Sequence, residues 1–242
     1  MRQPDTGARD TGRDAGWGGS ARPGAGELSA PAGALGAPAA ADGDPELALP
    51  PGQYVPRKLP VLHYGRVPSF DPPTWDLRIC GATRSGTDQV WTWPEFGALP
   101  RCEVVADLHC VTRFTIPGNH WGGVAAAEIL RLAPPDDAVT HLMIWADFGY
   151  SANVRIADFA ADTTLLATHL DGAPLTPEHG FPLRLVVPAL YAWKSVKWVR
   201  AIEYLTCDRR GFWEERGYHN TADPWQEQRY SYQERDGEGP PL

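Results

Sequence analysis

The stretch DLHCVTRF, residues 107 to 114, sets a histidine, a cysteine and an arginine close together at the end of an apolar run. The run, EVVADL at 103–108, is typical of a buried strand, so Cys110 would lie just beyond the strand's end. Two interpretations of Cys110 follow from this stretch alone. A thiolate binds soft metal ions, but a free cysteine is more often a small buried hydrophobe.

Length and composition predict a soluble protein with a substantial core. The chain has 242 residues, 43% of them hydrophobic, which suits one domain of good size or at most two small ones. Ten tryptophans indicate a large core or a lined cavity. The net charge of −8 argues against nucleic acid as a partner, because nucleic-acid binding favours a clustered basic face.

The cysteine content and the N-terminal sequence predict a cytoplasmic location. The four cysteines have no C-x-x-C spacing and are too sparse for a disulfide framework, so reduced thiols are expected. No apolar run approaches the length that spans a bilayer. The N-terminal arginines include no adjacent pair and precede no apolar signal core. We therefore expect neither a membrane association nor export.

Composition divides the chain into three segments. Residues 1–48 consist largely of Gly, Ala and Pro and are predicted to be disordered, because they cannot bury enough apolar surface to offset the entropy of ordering. Residues 49–232 are predicted to form the folded domain, and residues 233–242 a frayed tail. The stretch GFWEERGYHNTADPWQEQRYSY at 211–232 is too aromatic for a free tail and is expected to pack back on the domain.

Hydrophobic periodicity predicts a mixture of strands and short helices. Strands are predicted at 75–81, 103–108, 139–146, 182–190 and 197–205, and helices at 92–100, 123–132 and 156–161. The two kinds of element do not alternate regularly, so a doubly wound fold is not expected. The sequence has neither a G-x-G-x-x-G after a strand nor a G-x-x-x-x-G-K-[ST], which removes the usual support for dinucleotide and P-loop sites.

A second informative stretch, HGFPLRLVVPALYAWKSVKW at 179–198, gathers polar groups at the two ends of a predicted strand. His179 and Arg184 flank a Gly-Phe-Pro turn, and two lysines and a serine follow the strand: Lys194, Ser195 and Lys197. An arginine fork and lysine point charges suit an anionic ligand such as a phosphate. From spacing alone, solvated charges around a core strand are the commoner explanation.

Three motifs taken together, DLHCVT, HGFPLRLVVP and WKSVKW, resemble the molybdopterin-binding domain of the sulfite oxidase family. The resemblance is to its small, haem-free bacterial branch, the sulfite oxidase-like or molybdopterin-dependent oxidoreductases. LPVLHYGRVP and GFWEERGYHNTADPWQEQRY extend it over about residues 50 to 231. The resemblance implies an α+β fold with mixed β-sheets and short helices in a single compact domain.

The resemblance also implies which residues bind molybdenum-molybdopterin. Cys110 stands where the family's cysteine thiolate binds molybdenum, beside the two dithiolene sulfurs of the pterin. His179 and Arg184 match the pair that contacts the pterin and its phosphate. Further residues match other cofactor-contacting positions: Ser195, Val196 and Lys197 in a tripeptide that holds the pterin partly through its backbone, His63, Tyr64 and Gly65 in the entry loop, and Asp147 as a polar residue at the pterin.

On the substrate side, Tyr150 resembles the family's active-site tyrosine near the oxygen ligands of the metal. Arg113, three residues after the metal cysteine, is expected to face the substrate. Sulfite oxidases proper carry an Asn-Arg-Arg run after their cysteine, whereas this chain reads VTRFT. The anion pocket for sulfite is therefore not evidently complete, and the substrate stays open among a sulfoxide, an N-oxide and a small oxyanion such as sulfite.

The implied function is that of a molybdenum-molybdopterin-dependent oxidoreductase that transfers an oxygen atom to or from a small substrate. Since the sequence has neither a haem-binding segment nor the cysteine set of an iron–sulfur cluster, electrons are expected to pass through a separate redox partner. No strand-rich dimerisation domain follows residue 232, which predicts a monomer. Two alternatives remain. One is a non-catalytic molybdopterin-binding or interaction domain with the same fold; the other, for which the ligand spacing is poor, is a zinc hydrolase using Cys110 and histidines.

Overall fold

Ten strands and three short α-helices form the part of the chain that the structure describes, residues 48–241 of a computed structural model. In chain order they are β1 (Asp76–Gly81), β2 (Gln89–Thr92), α1 (Trp93–Gly97), β3 (Cys102–His109), β4 (Thr115–Ala125), α2 (Ala126–Leu132), β5 (His141–Ala146), β6 (Ser151–Arg155), α3 (Ile156–Phe159), β7 (Leu165–Leu170), β8 (Ala173–Pro174), β9 (Arg184–Val186) and β10 (Val199–Leu205).

The first sheet has the strand order β2-β1-β10-β5-β6 and carries one face of the main core. β1 and β10 run parallel, and the other neighbours in this sheet are antiparallel. The alternation that predicted β1 is confirmed, because Leu77 and Ile79 are fully buried and pack with Phe96 of α1. The predicted strands at 139–146 and 197–205 are confirmed as β5 and β10, each two residues shorter at its start.

The second sheet has the order β3-β4-β7-β8, with β9 also paired to β7. Its long strand β4 contradicts the predicted helix at 123–132, which begins only at Ala126. The glycines of GNHWGGVA give this strand the composition of a loop, so its sequence did not indicate a strand. Gly123 is needed there, because a Cβ at this position would lie 2.1 Å from the carbonyl oxygen of Leu166 in the neighbouring strand β7.

The two other predicted helices form but are shorter than the sequence indicated. α1 ends at Gly97, and α3 ends at Phe159. At the start of α1 the Glu95 carboxylate accepts hydrogen bonds from the backbone N–H (2.8 Å) and the hydroxyl (2.7 Å) of Thr92, which stabilises this end of the helix. The predicted strand at 182–190 is likewise regular only over β9, because Pro182 and Pro188 bound it and donate no ladder hydrogen bond.

The C-terminal stretch 211–232 packs back on the domain, as its aromatic content predicted. Glu214 and His219 within it have no exposed surface. The prediction of a frayed tail from residue 233 is wrong for its first part, since the Glu234 carboxylate forms an ion pair with the buried Arg210 guanidinium at 2.6 Å. A buried guanidinium requires a hydrogen-bonded anion, and Glu234 supplies it.

The α+β class with mixed sheets, short helices and one compact domain is confirmed. The segment predicted to be disordered, residues 1–48, lies outside the described residues apart from Ala48. Across residues 48–241, no helix combines the length and the apolar character that crossing a bilayer requires.

Candidate functional site

Cys110 lies in the tight turn between β3 and β4, directly after the last residue of β3. Its backbone N–H donates to the carbonyl of Phe114 at 2.8 Å, and its own carbonyl accepts from the N–H of Arg113 at 3.0 Å. Arg113 has a positive φ of 75°, a conformation that few non-glycine residues adopt. The turn thus presents the cysteine directly after β3, where the sequence predicted it. The predicted burial of that strand is wrong, because only Leu108 and His109 of β3 are buried and Val105 is 59% exposed at the sheet edge.

Segments from opposite ends of the described chain hold this turn in place. Tyr54 donates its backbone N–H to the carbonyl of Arg113 at 3.0 Å and accepts from the N–H of Thr115 at 2.9 Å. From the C-terminal stretch, Arg229 donates through Nη1 to the carbonyl of Val111. The backbone around the cysteine is therefore fixed by contacts that are distant in sequence.

The Cys110 thiol is 7% exposed and lies among polar groups. Its Sγ is 3.1 Å from Oγ1 of Thr112. Burial raises the pKa of the thiol, while the Thr112 hydrogen bond and the positive charge of Arg229 lower it. The sulfur is not enclosed by hydrocarbon alone, as it would be if Cys110 served only as core packing.

A basic cluster of His179, Arg184 and Lys197 forms where β9 meets the segment before β10. Arg184 is 2% exposed and pairs with Lys197 in an antiparallel bridge. The Nη1 of Arg184 donates to the carbonyl of His179 at 3.1 Å, and the Lys197 ammonium donates to the carbonyls of Glu178 and Leu62, each at 2.7 Å. His179, Arg184 and Lys197, which the sequence placed around a strand, thus come together. Lys194 of the same stretch does not join them, because its buried ammonium pairs with Glu214 at 2.6 Å.

Gly180 allows this close approach. Its φ of +113° is strained for any residue with a Cβ, and an added Cβ would lie 3.0 Å from the Cβ of Arg184 and 3.2 Å from the Cβ of Lys197. A side chain at this position would push the two cations away from the turn. The local sequence His-Gly therefore sets the spacing of the basic cluster.

The electrostatics of the basic cluster favour an anionic ligand. Burial lowers the pKa of Arg184 to about 10, and burial together with the Arg184 charge lowers the pKa of Lys197 to about 7. Burial and the two neighbouring cations lower the pKa of His179. Within residues 48–241, the buried Nε2 of His179 and Nε of Arg184 have no hydrogen-bond partner. Such atoms require a ligand, and a phosphate offers the matching charge and acceptors.

The basic cluster and the cysteine lie near enough to interact electrostatically. The charge of Cys110 contributes to the pKa of Lys197 by raising it, so the two side chains lie within electrostatic range of each other. A molybdopterin needs a soft sulfur ligand for its metal and cations for its phosphate. The residues present fit both requirements.

The entry-loop residues lie against this site. The His63 ring meets Trp198, the residue after Lys197, edge to face at 5.5 Å between centroids, and its Nδ1 lies 3.0 Å from the carbonyl oxygen of Gly65. Tyr64 is half exposed and packs on Phe212 with ring centroids 4.7 Å apart. The predicted cofactor contacts of this loop remain predictions, now with a position beside the cluster.

Three further predicted cofactor residues have their side chains or carbonyls engaged within the protein. Ser195 Oγ accepts from the N–H of Val187 at 3.0 Å, and the Val196 carbonyl accepts from the N–H of Leu185 at 2.8 Å. The Asp147 carboxylate lies 3.4 Å from Nη1 of Arg200. Their proposed contacts with the pterin stay predictions.

Tyr150 does not fit the catalytic role that the sequence suggested. Its hydroxyl is buried and donates to the carbonyl of Trp193 at 2.7 Å, so the donor expected to serve the substrate is already used. Burial, followed by the charge of Glu214, holds the pKa of this phenol well above its usual range. The physical reason is the position of Tyr150 directly before β6, where its hydroxyl meets the Trp193 carbonyl.

Three residues near Cys110 were missed by the sequence analysis: Tyr218, Tyr191 and Arg229. Burial raises the pKa of Tyr218, and the charges of Tyr230 and Cys110 add to the effect. The Tyr218 ring meets that of Trp193 at 5.2 Å. Arg229 and Tyr218 lie in the stretch that carried part of the family resemblance, but no local pattern indicated that they approach a cysteine so far away in sequence.

Two other observations concern a zinc site and a second cleft as alternatives to the site at Cys110. No group of three or more His, Cys, Asp or Glu side chains that could hold a metal ion occurs among the described residues, which removes the support for a zinc site. A cleft of about 730 Å³ lies at the other end of β3, lined by Cys102, His120 and His169 among others. Among the described residues that line it, none has a buried polar atom without a partner, so we place the chemistry at Cys110 rather than in this cleft.

Comparison with known proteins identifies a family for this chain. The family model described as oxidoreductase molybdopterin binding domain matches residues 64–213, which include Cys110 and the basic cluster. The chain is 42% identical over 185 residues to a Bacillus subtilis protein named uncharacterized oxidoreductase YuiH, covering 76% of this chain and 92% of that relative. It is 25% identical over 181 residues to human mitochondrial sulfite oxidase, covering 63% of this chain but only 33% of the human protein.

A solved structure shows the same fold. The sulfane dehydrogenase SoxCD from Paracoccus pantotrophus superposes with a TM-score of 0.53 at 22% sequence identity, over 60% of this chain and 41% of that one. At this identity the likeness concerns the architecture of the sheets.

Proposed function

The chain belongs to the oxidoreductase molybdopterin-binding domain family, and from this premise we propose that it carries a molybdenum-molybdopterin cofactor and transfers an oxygen atom to or from a small substrate. It is an oxidoreductase of the sulfite oxidase-like branch. The observation that carries the proposal is the pairing of Cys110, whose sulfur lies beside the Thr112 hydroxyl, with a partly buried basic cluster in which the buried Nε2 of His179 and Nε of Arg184 have no hydrogen-bond partner within the described chain.

The roles of the binding residues follow from their chemistry. When bound, the molybdenum centre would supply two-electron oxygen-atom transfer. Cys110 would bind the metal as a thiolate, and binding releases the thiol proton that burial otherwise favours. Arg184 and His179 would donate their unpaired N–H groups to the phosphate, and Lys197 would add its charge.

On the substrate side, Tyr218 replaces Tyr150 as the proposed hydrogen-bond donor. Tyr218 lies within electrostatic range of Cys110, and its ring is held edge to face by Trp193. A phenol in this position would donate to an oxygen carried by the substrate. Arg113, whose side chain is exposed, keeps its proposed role of facing the substrate.

The proposal also covers the substrate class, the route of electrons, the location and the oligomeric state. The substrate is a sulfoxide, an N-oxide or a small oxyanion, and electrons pass to or from a separate redox partner, without haem or iron–sulfur clusters in this chain. All four cysteines are free, which supports a cytoplasmic location. A monomer remains the expected state, and sedimentation equilibrium would test it.

Metal analysis of the purified protein tests the proposal. The full chain, made in a host that synthesises molybdopterin, should contain about one molybdenum per chain, as one thiolate site implies. Cys110→Ser and Cys110→Ala should lose the metal, whereas Cys207→Ser, which changes an exposed cysteine, should keep it. Zinc in place of molybdenum, or molybdenum that persists without Cys110, would overturn the proposal. Turnover of dimethyl sulfoxide with a dye donor and of sulfite with a dye acceptor then identifies the substrate and the direction.

A further inference from the structure

Arg229 is a buried cation with most of its hydrogen-bonding capacity unused. The residue is 5% exposed, and Nη1 donates to the carbonyl of Val111, next to Cys110. Its Nε and Nη2 are buried and have no hydrogen-bond partner within residues 48–241. Leaving two guanidinium donors unpaired in the interior is unfavourable, so an arginine in this state points to a ligand that the protein itself does not supply.

The nearest acid does not satisfy this guanidinium. Glu227 Oε1 lies 3.6 Å from Nη2 of Arg229, close enough to attract it but beyond a hydrogen bond. The Glu227 side chain is 43% exposed, so solvent weakens the attraction. Glu227 therefore leaves room for a better anionic partner.

Tyr191 adds a second unused donor beside Arg229. The Arg229 guanidinium carbon lies 5.0 Å from the centre of the Tyr191 ring, and the Tyr191 hydroxyl is buried without a hydrogen-bond partner in the described part of the chain. Gln53 lies close enough to lower the pKa of this phenol, but its amide nitrogen is committed to the Cys110 carbonyl at 3.1 Å. Two residues with unpaired donors thus adjoin the turn that carries the metal-binding cysteine.

We propose that Arg229, together with the Tyr191 hydroxyl, binds an anionic oxygen of the substrate beside Cys110 and makes the site selective for small oxyanions over neutral oxygen-atom donors. This inference rests on the proposed function and narrows its substrate class. Sulfite oxidases proper carry an Asn-Arg-Arg run after their cysteine, which this chain lacks. Here Arg229 of the C-terminal stretch supplies a cation to the same turn. A purely structural clamp on Val111 requires Nη1 alone and leaves the other nitrogens unexplained.

Sulfate serves as an unreactive probe of this site. Sulfate binding to the cofactor-loaded full chain is measured by titration calorimetry, with molybdenum content determined on the same samples. Arg229→Gln should weaken sulfate binding about tenfold, and Tyr191→Phe about threefold, because a charge-assisted hydrogen bond contributes more than a neutral one. Arg131→Gln removes an exposed arginine on α2 and should leave sulfate binding unchanged.

Kinetics separate a specificity role from a structural one. Arg229→Gln should raise the KM for sulfite or the inhibition constant of sulfate while changing the KM for dimethyl sulfoxide less than about twofold, since only the anion uses the guanidinium. Arg229→Lys keeps the charge but loses the fork, and should show a smaller loss of sulfate affinity. If Arg229→Gln fails to fold, Arg229→Lys and Tyr191→Phe still decide the matter.

The possible results distinguish this inference from the proposed function. Molybdenum-containing variants that bind sulfate as tightly as the wild type would overturn the inference and leave the molybdenum assignment intact. Equal losses on sulfite and dimethyl sulfoxide would likewise reject selectivity. Arg229-dependent sulfate binding by a protein that holds no molybdenum would support the anion site while the cofactor assignment failed.

Discussion

Replacing Lys197 tests whether the basic cluster is incomplete without an anion. Burial, assisted by Arg184, lowers the pKa of Lys197 from 10.5 to about 7. Below pH 7 the lysine is charged in both the folded and the unfolded state, so the folded state carries the full free-energy cost of the partly buried charge. Between pH 7 and 10.5 the unfolded state binds more protons, so the free energy of unfolding rises with pH in this window.

The size of the effect follows from the two pKa values. Their difference corresponds to at most about 5 kcal/mol, and about half of that is realistic for a side chain that is only partly buried. In the cofactor-free protein, the free energy of unfolding of the wild type should therefore rise by about 1.5 kcal/mol relative to Lys197→Met between about pH 6 and about pH 9. The two hydrogen bonds of Lys197 to backbone carbonyls are stronger from the ammonium than from the neutral amine, which is a further reason to expect less than the full difference.

Urea denaturation followed by tryptophan fluorescence measures the difference at each pH. Lys58→Met, which removes an exposed lysine, is the matched control and should run parallel to the wild type. In the molybdopterin-loaded protein the phosphate supplies the missing anion, so the pH dependence assigned to Lys197 should disappear. Parallel wild-type and Lys197→Met curves in the cofactor-free protein would refute the reasoning.

Four further substitutions probe the site and its support. Tyr218→Phe should lower kcat by about tenfold or more with unchanged molybdenum content, because the variant loses a hydrogen-bond donor to the reacting oxygen. Tyr150→Phe should keep activity and lower the free energy of unfolding by about 1 kcal/mol in urea titrations. The reverse pattern would restore Tyr150 as the catalytic tyrosine. Gly180→Ala should lower the free energy of unfolding by about 2 kcal/mol, because the positive φ of Gly180 and the side chains around it exclude a Cβ. The same variant should contain less molybdenum, and an unchanged metal content would mean that the cluster does not bind the cofactor. Glu214→Gln should destabilise the protein by about 3 kcal/mol, because it leaves the buried Lys194 ammonium, 2.6 Å away, without its counter-ion; a stability within about 0.5 kcal/mol of wild type, the size of a surface change, would contradict this.

The sequence predicted those parts of the fold in which local pattern and tertiary environment agree. Leu77 and Ile79 alternate with polar residues in β1, and this strand has one face on the core, so its pattern was readable. In β4 the local pattern and the tertiary environment disagree. Gly123 is present because the neighbouring strand leaves no space for a side chain, and a glycine gives no hydrophobic signal.

The candidate site was predicted where its residues cluster in short motifs and missed where they do not. Cys110, His179 and Arg184 came from motifs that resemble a known family, while their convergence depends on the bridge between Arg184 and Lys197. Arg229 reaches the cysteine turn only because the C-terminal stretch folds back over it, and periodicity carries no information about such long-range contacts. Tyr150 was assigned from its motif, but the direction of its hydroxyl is set by the Trp193 backbone.

The bracing of the Cys110 turn has a consequence for how this protein matures. Tyr54 holds one side of the turn and Arg229 the other, so the ligand loop reaches its final shape only after the ribosome has delivered both of them. If Cys110 binds the cofactor as proposed, we expect loading to follow synthesis of residue 229. A nascent chain arrested before that residue would present Cys110 in a turn that lacks the Arg229 contact.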